Sequence, residues 1–178
     1  MPPSSALSIR AIEQNDHVNA FSTGNAEHLP LKNFLRNQAI EFHFSNIVKT
    51  YVAVDDQNRV WGYTSLMCSD IELEDGYELE DCDGANCYET LPAVKIARLA
   101  VDSKLRGKGL GRNLIEFSIA IAKDMIMPHA GCRFLVVDAK QDAVSFYRDK
   151  IGFTLLDTEG NENTEHPVMF IDLQKNTV

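Results

Sequence analysis

The sequence predicts an α/β fold in which helices pack on a mixed β-sheet. Short β-rich segments alternate with segments of helical periodicity, and the longest helical segment follows a buried strand and a glycine-rich turn. A chain of 178 residues is long enough for one domain with a substantial core. We therefore expect a single domain over residues 1–178, with a central sheet of about six to seven strands, helices on both faces and a flexible tail over residues 1–6.

In the N-terminal half, β-branched and alternating apolar residues predict strands over 7–12, 50–54 and 60–67. Asp55-Asp56-Gln57-Asn58 separates the last two strands and is typical of a hairpin turn. Apolar residues at positions 31, 34, 35, 39 and 42 recur at helical spacing. We expect one helix over 31–44, which begins after Pro30.

The C-terminal half alternates strands and helices. A buried strand over 94–101 precedes an amphipathic helix over 109–126, which Pro128-His129-Ala130-Gly131 ends. The expected elements after that turn are a strand over 133–138, a helix over 141–150, and strands over 152–156 and 167–173.

The net charge of −9 comes from one segment, residues 70–89, which has nine acidic residues and no basic ones. They are Asp70, Glu72, Glu74, Asp75, Glu78, Glu80, Asp81, Asp83 and Glu89. The rest of the chain has as many acidic as basic residues. Such a segment repels nucleic-acid phosphates and attracts cations. We interpret it as an acidic insertion that influences substrate choice, with a solvated loop as the alternative.

Several classes of protein are not indicated. No apolar run reaches the length of about 18 residues that a membrane span requires. Residues 1–8 have neither the basic nor the apolar region of a signal peptide, so we expect a cytoplasmic protein. The four cysteines lack zinc-type spacing and are expected to be reduced thiols, and the five histidines are scattered. We expect no metal site.

The most informative motif is the loop Arg106-Gly107-Lys108-Gly109-Leu110-Gly111, between the buried strand and the amphipathic helix. A glycine-rich turn at a helix N-terminus presents free N–H groups to an anion and lets a phosphate approach the backbone closely. The spacing fits neither a dinucleotide-binding nor a Walker motif. It predicts a pyrophosphate site, with a structural glycine turn as the alternative.

This loop resembles the Arg/Gln-x-x-Gly-x-Gly/Ala motif of the GCN5-related N-acetyltransferases, which holds the pyrophosphate of acetyl-CoA. Residues 97–102, 134–139 and 143–153 are similar to that family's central strand, next strand and following helix, in the same order. The resemblance implies a splayed pair of central strands and acetyl-CoA as the acetyl donor. The cofactor-binding residues that it implies are Leu99, Ala100, Val101, Arg106, Gly107, Lys108, Gly109, Leu110, Gly111 and Arg112.

Tyr147 matches the tyrosine that the family uses in the helix after the second of these strands. The resemblance implies that it is the general acid that protonates the leaving thiolate. A buried tyrosine that donates a hydrogen bond to the backbone is the alternative. No carboxylate lies between positions 91 and 101, where many family members have their general base, so the base is left unassigned.

Residues 21–24, 31–39, 49–55 and 62–66 are also similar to the N-terminal half of the acetyltransferase toxins of toxin–antitoxin systems. That resemblance implies an aminoacyl-tRNA α-amine as acceptor and a DNA-binding antitoxin as partner, with a homodimer left open. The toxins carry basic residues where this chain has its acidic segment. A small cationic molecule or a protein amine is therefore the alternative acceptor. A non-catalytic acyl-CoA-binding module is a further alternative, against which Tyr147 and the intact loop argue.

Overall fold

The computed structural model describes residues 3, 6–73 and 77–175. Its strands are β1 (Ser8–Ala11), β2 (Lys49–Val54), β3 (Val60–Glu72), β4 (Thr90–Val101), β5 (Phe134–Asp138), β6 (Thr154–Leu155) and β7 (Val168–Asp172). They form one sheet in the order β1-β2-β3-β4-β5-β7-β6. β4 and β5 are parallel, whereas β1–β2, β2–β3, β5–β7 and β6–β7 are antiparallel. The predicted α/β class with a mixed sheet is confirmed.

The chain divides into two units, and each is described by itself below. Unit 1 is Met1–Met67 with Ala97–Ser118, and unit 2 is Cys68–Ile96 with Ile119–Val178. Strands β3 and β4 contribute residues to both units. Of the tail predicted over residues 1–6, Met1, Pro2, Ser4 and Ser5 lie outside the described residues.

In unit 1, helices pack on both faces of the strands because successive strand side chains point to opposite sides. Helices α1 (Leu29–Asn37) and α2 (Ala39–Phe44) precede β2, and helix α3 (Leu110–Ala120) follows β4. The first two helices share a core cluster made of Phe34, Leu35, Ala39, Val52, Val54 and Tyr63, among others. The other face packs on α3 through Ala53, Trp61, Leu105, Leu110 and Leu114.

The single helix expected over 31–44 is wrong. The chain forms α1 and α2 instead, separated by Gln38, whose φ of −130° is outside the helical range. The apolar spacing continues across this break, since Phe34 and Ala39 belong to the same core cluster. Gln38 is neither glycine nor proline, so the sequence gives no sign of the interruption.

The two C-terminal helices also differ from the expected ones. The helix expected over 109–126 ends as α3 at Ala120 and continues as a π-helical turn, Ile121–Ile126. The helix expected over 141–150 begins with a 3₁₀ turn, Gln141–Ala143, and ends with a second π-helical turn, Phe146–Ile151. Hydrophobic spacing did not predict these turns, because π-helical turns are rare and are defined by their i→i+5 hydrogen bonds rather than by composition.

In unit 2, apolar side chains of the acidic segment pack against the core. Its first residues are the end of β3, which runs five residues beyond the expected end at Met67. Leu73 and Leu79 are buried, and they pack with Phe134 and Phe170. The described carboxylates of the segment are exposed, and Glu74 and Asp75 lie outside the described residues. A purely solvated loop is therefore wrong, because apolar side chains alternate with the acidic ones.

Arg133 ties the acidic segment to β7. Its guanidinium donates to both carboxylate oxygens of Asp81, at 2.8 and 2.9 Å, and to Oδ2 of Asp172 at 2.8 Å. The same Oδ2 accepts a hydrogen bond from the hydroxyl of Tyr77. Asp172 is buried whereas Asp81 is exposed. Breaking the inner pair therefore costs more stability than breaking the outer one, because water solvates the outer carboxylate and not the buried one.

We expect Arg133→Gln to lower the free energy of unfolding by about 3 kcal/mol, because it leaves Asp172 buried without its cationic partner. Asp81→Asn is the matched control, and its effect should be much smaller because Asp81 is on the surface. Urea unfolding followed by circular dichroism measures both. Equal losses for the two variants would contradict this ranking of the two ion pairs.

Candidate active site

The loop over 106–111 lies in unit 1, between a 3₁₀ turn, Ser103–Leu105, and the N-terminus of α3. Gly107 and Gly109 have φ angles of +76° and +87°, which few residues with a side chain adopt. A Cβ atom at either glycine would meet nothing within 4 Å, so the surface of the loop is open. Since the first N–H groups of α3 have no intrahelical partner, the loop presents backbone donors to an anion.

Asp102 fixes the start of this loop. Its carboxylate accepts hydrogen bonds from the N–H groups of Lys104 and Ser22, both at 3.0 Å, and only 1% of the residue is exposed. Its own N–H donates to the carbonyl of Trp61 on β3 at 2.8 Å. Asp102 was not among the predicted site residues. An aspartate directly before a turn was the available signal.

The segment 22–24 is held against the loop by three hydrogen bonds. Besides the bond from Ser22 N–H to Asp102, the N–H of Ser103 donates to the carbonyl of Ser22 at 2.8 Å. The guanidinium of Arg106 donates to the carbonyl of Thr23 at 2.9 Å. Arg106 thus holds the N-terminal segment to the loop.

The other loop cations differ in their partners. Arg112 forms an ion pair with Glu116 one helical turn later, at 2.7 Å. Lys108 is exposed, and it pairs with no carboxylate among the residues that the structure describes. With Arg106 and Arg112 engaged, Lys108 and the backbone N–H groups are the donors most available to a pyrophosphate.

Strand β4 extends past its pairing with β5. The parallel register joins 93–95 to 134–136, and for the described residues it ends at Lys95 and Val136. Leu99, Ala100 and Val101, expected to face the pantetheine arm, follow this point and are buried or half-buried. A central strand that leaves its neighbour has backbone N–H and C=O groups to offer a ligand.

Tyr147 lies in unit 2, within the second π-helical turn, and is 5% exposed. Its ring makes edge contacts with Phe146 and Phe153, each at 5.3 Å between centroids. This burial raises the pKa of the phenol above its usual value, so the hydroxyl remains protonated at neutral pH. That hydroxyl has no hydrogen-bond partner in the described part of the chain, which leaves its proton available.

The alternative for Tyr147 was a buried tyrosine whose hydroxyl donates a hydrogen bond to the backbone. Tyr63 has such a bond, and Tyr147 has none in the described part of the chain. The Tyr63 hydroxyl donates to the carbonyl of Leu31 at 2.7 Å, and burial raises its pKa as well. The predicted cofactor residues 99–101 and 106–112 thus lie together in unit 1, and Tyr147 lies in unit 2.

Unit 2 also contains a cavity of about 240 Å³, lined by polar residues at the end of β3 and on β4 and β5. Lys95 and Asp138 form an ion pair of 2.6 Å in its wall, which also includes Asp70 and Glu72. The carboxylate of Asp138 is therefore already paired with a cation of the same wall, and the general base stays unassigned.

Three further observations concern the cysteines, metal binding and membrane-spanning helices. The four cysteines are free thiols, of which Cys132 is buried. No group of three or more metal-ligating side chains forms a metal site among the residues described. None of the described helices is both long and apolar enough to cross a membrane.

Comparison with known proteins identifies the family. The model of the acetyltransferase (GNAT) domain matches residues 46–155, more than half of the chain. The tRNA-acetylating toxin of Mycobacterium tuberculosis (strain ATCC 25618 / H37Rv) is 31% identical over 142 residues, which are 78% of this chain and 79% of that protein. The chain belongs to the GNAT acetyltransferase family. As a GNAT enzyme it is an acetyl-CoA-dependent N-acetyltransferase, as the family resemblance implied.

Solved structures show the same GNAT fold. A tyrosine-to-phenylalanine mutant of KacT superposes with a TM-score of 0.81 at 23% identity, covering 96% of both chains. AtaT complexed with acetyl-methionyl-tRNAfMet gives a TM-score of 0.77 at 22% identity, covering 94% of this chain and 95% of AtaT. At these identities the likeness concerns the fold, and it confirms the predicted fold class with its mixed sheet and helices.

Proposed function

We propose that this acetyltransferase transfers the acetyl group of acetyl-CoA to the α-amine of an aminoacyl-tRNA. The observation that carries the proposal is the 31% identity, over most of both chains, with a toxin named for acetylating tRNA. We further propose that residues 1–178 are one acetyltransferase domain that works in the cytoplasm, with an antitoxin protein as its inhibitory partner.

The roles proposed for the residues follow from their positions. The loop over 106–111 and the N-terminus of α3 hold the pyrophosphate, since they offer backbone donors and Lys108. The backbone of Leu99, Ala100 and Val101 pairs with the pantetheine arm. A strand N–H from Leu99 or Ala100 stabilises the oxyanion that develops on the thioester oxygen.

In the reaction, the lone pair of the neutral amine attacks the thioester carbon. The C–S bond then breaks, and Tyr147 donates its proton to the departing thiolate. The new ammonium loses its proton to solvent, and Tyr147 regains one from solvent. An α-amine titrates well below a lysine amine, so an adequate fraction is neutral at pH 7 without a strong base. This acceptor agrees with the lack of a carboxylate between positions 91 and 101.

A cationic small molecule or protein amine is the second candidate acceptor, and the acidic segment favours it. Its exposed carboxylates, with Asp70 and Glu72 in the wall of the 240 Å³ cavity, attract positive charge. Under this alternative, kcat/KM for a cationic acceptor falls as ionic strength rises.

A panel of acceptors distinguishes the two candidates. With labelled acetyl-CoA, we expect aminoacyl-tRNA to have a kcat/KM at least about 100-fold above those of polyamines and lysine peptides. The reason is that contacts with the RNA lower the free energy of the transition state relative to the free enzyme and substrate. Deacylated tRNA and tRNA with a blocked α-amine are the matched controls and should accept no label. Preferential labelling of a polyamine or lysine peptide would contradict the tRNA acceptor.

A further inference from the structure

A cavity of about 440 Å³ in unit 1 lies beside α1, the Gln38 junction and β4. Three residues with side-chain carboxamides are among those that line it, Asn33, Asn37 and Gln38, and Arg98 lies at its β4 side. Pro30, Leu31 and Phe34 complete the lining, so none of its lining residues is acidic. The polar groups in the wall are one fixed positive charge and three amides, each with two N–H donors. Such a wall suits an anion.

The packing of Arg98 orients its guanidinium to bind an anion, and the described part of the chain has no anionic partner for it. The face of its guanidinium stacks on the ring of Phe34, with Cζ 3.8 Å from the ring centroid. Phe34 is itself only 2% exposed, so this platform is part of the core. Stacking occupies the face of the guanidinium and leaves the N–H groups at its edge to donate in the plane.

Arg98 forms neither a hydrogen bond nor an ion pair with any residue in the ranges that the structure describes. Arg59 provides a useful contrast in the same unit. It also stacks on an aromatic ring, with Cζ 3.9 Å from the centroid of Trp61, but it has the carboxylate of Asp55 as a neighbour. Arg98 thus keeps its bidentate donor edge for a ligand.

We propose that this cavity binds a phosphodiester group of the acceptor RNA, with Arg98 as its bidentate partner and the carboxamides as further donors. The inference rests on the proposed function, because it concerns the same acceptor. A guanidinium matches two phosphate oxygens in plane, and phosphate contacts position an RNA without reading its sequence. The site gives the enzyme a means of holding the end of the RNA that does not involve the acidic segment.

The test uses a fluorescein-labelled minihelix of a tRNA acceptor stem with an amide-linked amino acid at its 3′ end. Fluorescence anisotropy across salt concentrations gives the affinity and its salt dependence. We expect Arg98→Gln to weaken binding about tenfold or more at 0.1 M salt, because one charge-assisted contact is lost. The slope of log K against log salt should fall by about 0.7 to 0.9, the contribution of one phosphate.

Arg59→Gln is the matched control, since it removes the same charge and the same kind of ring stack. It should bind the minihelix as wild type does, and both variants should keep wild-type affinity for acetyl-CoA by calorimetry.

Asn37→Asp is a second variant that leaves Arg98 in place. It introduces a carboxylate at an exposed position of the cavity wall and should weaken RNA binding in the same direction.

The outcomes separate this proposal from the proposed function. If the wild-type protein binds the minihelix and Arg98→Gln binds it as tightly as Arg59→Gln does, the phosphate site is overturned. The proposal of a tRNA acceptor is unaffected by that result. Failure of the wild-type protein to bind the minihelix would overturn both. Dimethyl phosphate, titrated against the ¹⁵N-labelled protein, should shift the Arg98 side-chain resonance. A shift in a protein that fails to bind RNA would assign the cavity to a small anion instead.

Discussion

Tyr147→Phe should lower kcat by about 100-fold, because removing a general acid from acyl transfer typically costs two to four orders of magnitude. The ring fills the same space between Phe146 and Phe153, so the fold and the KM for acetyl-CoA should change little. Single-turnover measurements by rapid quench isolate the chemical step. Wild-type turnover of this variant, with chemistry limiting, would show that the hydroxyl is structural.

The control for this variant is Tyr51→Phe. Burial raises the pKa of Tyr51 too, and its ring makes an edge contact with Phe117 at 5.1 Å in unit 1. It should keep wild-type kcat.

The pH profile of kcat gives a further check on the role of Tyr147. A raised pKa keeps the Tyr147 phenol protonated to higher pH, so the acid form persists through neutral pH and is lost only as pH rises through the raised pKa. Wild-type kcat should then show no basic limb due to this group below about pH 10.

Gly109→Glu should weaken acetyl-CoA binding by about 100-fold or more. The side chain adds a negative charge beside the expected pyrophosphate, and two unit charges about 4 Å apart near a protein surface repel by roughly 4 kcal/mol before salt screening. The substitution also strains the backbone, since Gly109 has a φ of +87°.

Gly109→Gln separates the charge from the strain, because it has the same shape and the same backbone cost without the carboxylate. Calorimetry with acetyl-CoA should show a smaller loss for Gln than for Glu. Thermal unfolding should show similar losses of stability for both variants, since they share the same backbone strain and no atom lies within 4 Å of the added Cβ. Unchanged affinity in a folded Gly109→Glu variant would remove the loop from the cofactor site.

The features that sequence predicted well are those with a local chemical cause. The glycines of the loop and the hairpin at Asp55–Asn58 need particular backbone conformations, and Asn58 indeed has a positive φ of 56°. The features that it missed depend on packing at a distance. Gln38 interrupts a helix within an uninterrupted apolar pattern, and Leu73 and Leu79 anchor a segment whose composition indicates a loop.

The candidate site divides in the same way. The motif residues could be named from their spacing, whereas the stacking of Arg98 on Phe34 joins β4 to a helix more than sixty positions earlier in the chain. Asp102 has a local signal, since it directly precedes a turn, but its bond to Ser22 spans eighty positions and could not be predicted. Side chains whose role depends on long-range contacts carry no local pattern that a sequence reader can use.

The three hydrogen bonds between the segment 22–24 and the loop have a thermodynamic consequence. A ligand that binds the loop in this tethered form also favours the bonds that hold Ser22 and Thr23, because coupling between two equilibria is reciprocal. Release of the segment from the loop then lowers the affinity of the loop for the ligand by a certain factor. Binding of the ligand disfavours release of the segment by the same factor. With the nucleotide end of acetyl-CoA as the proposed ligand of the loop, we expect the stretch before α1 and the cofactor to behave as one cooperative unit, although no atom of that stretch need touch the cofactor.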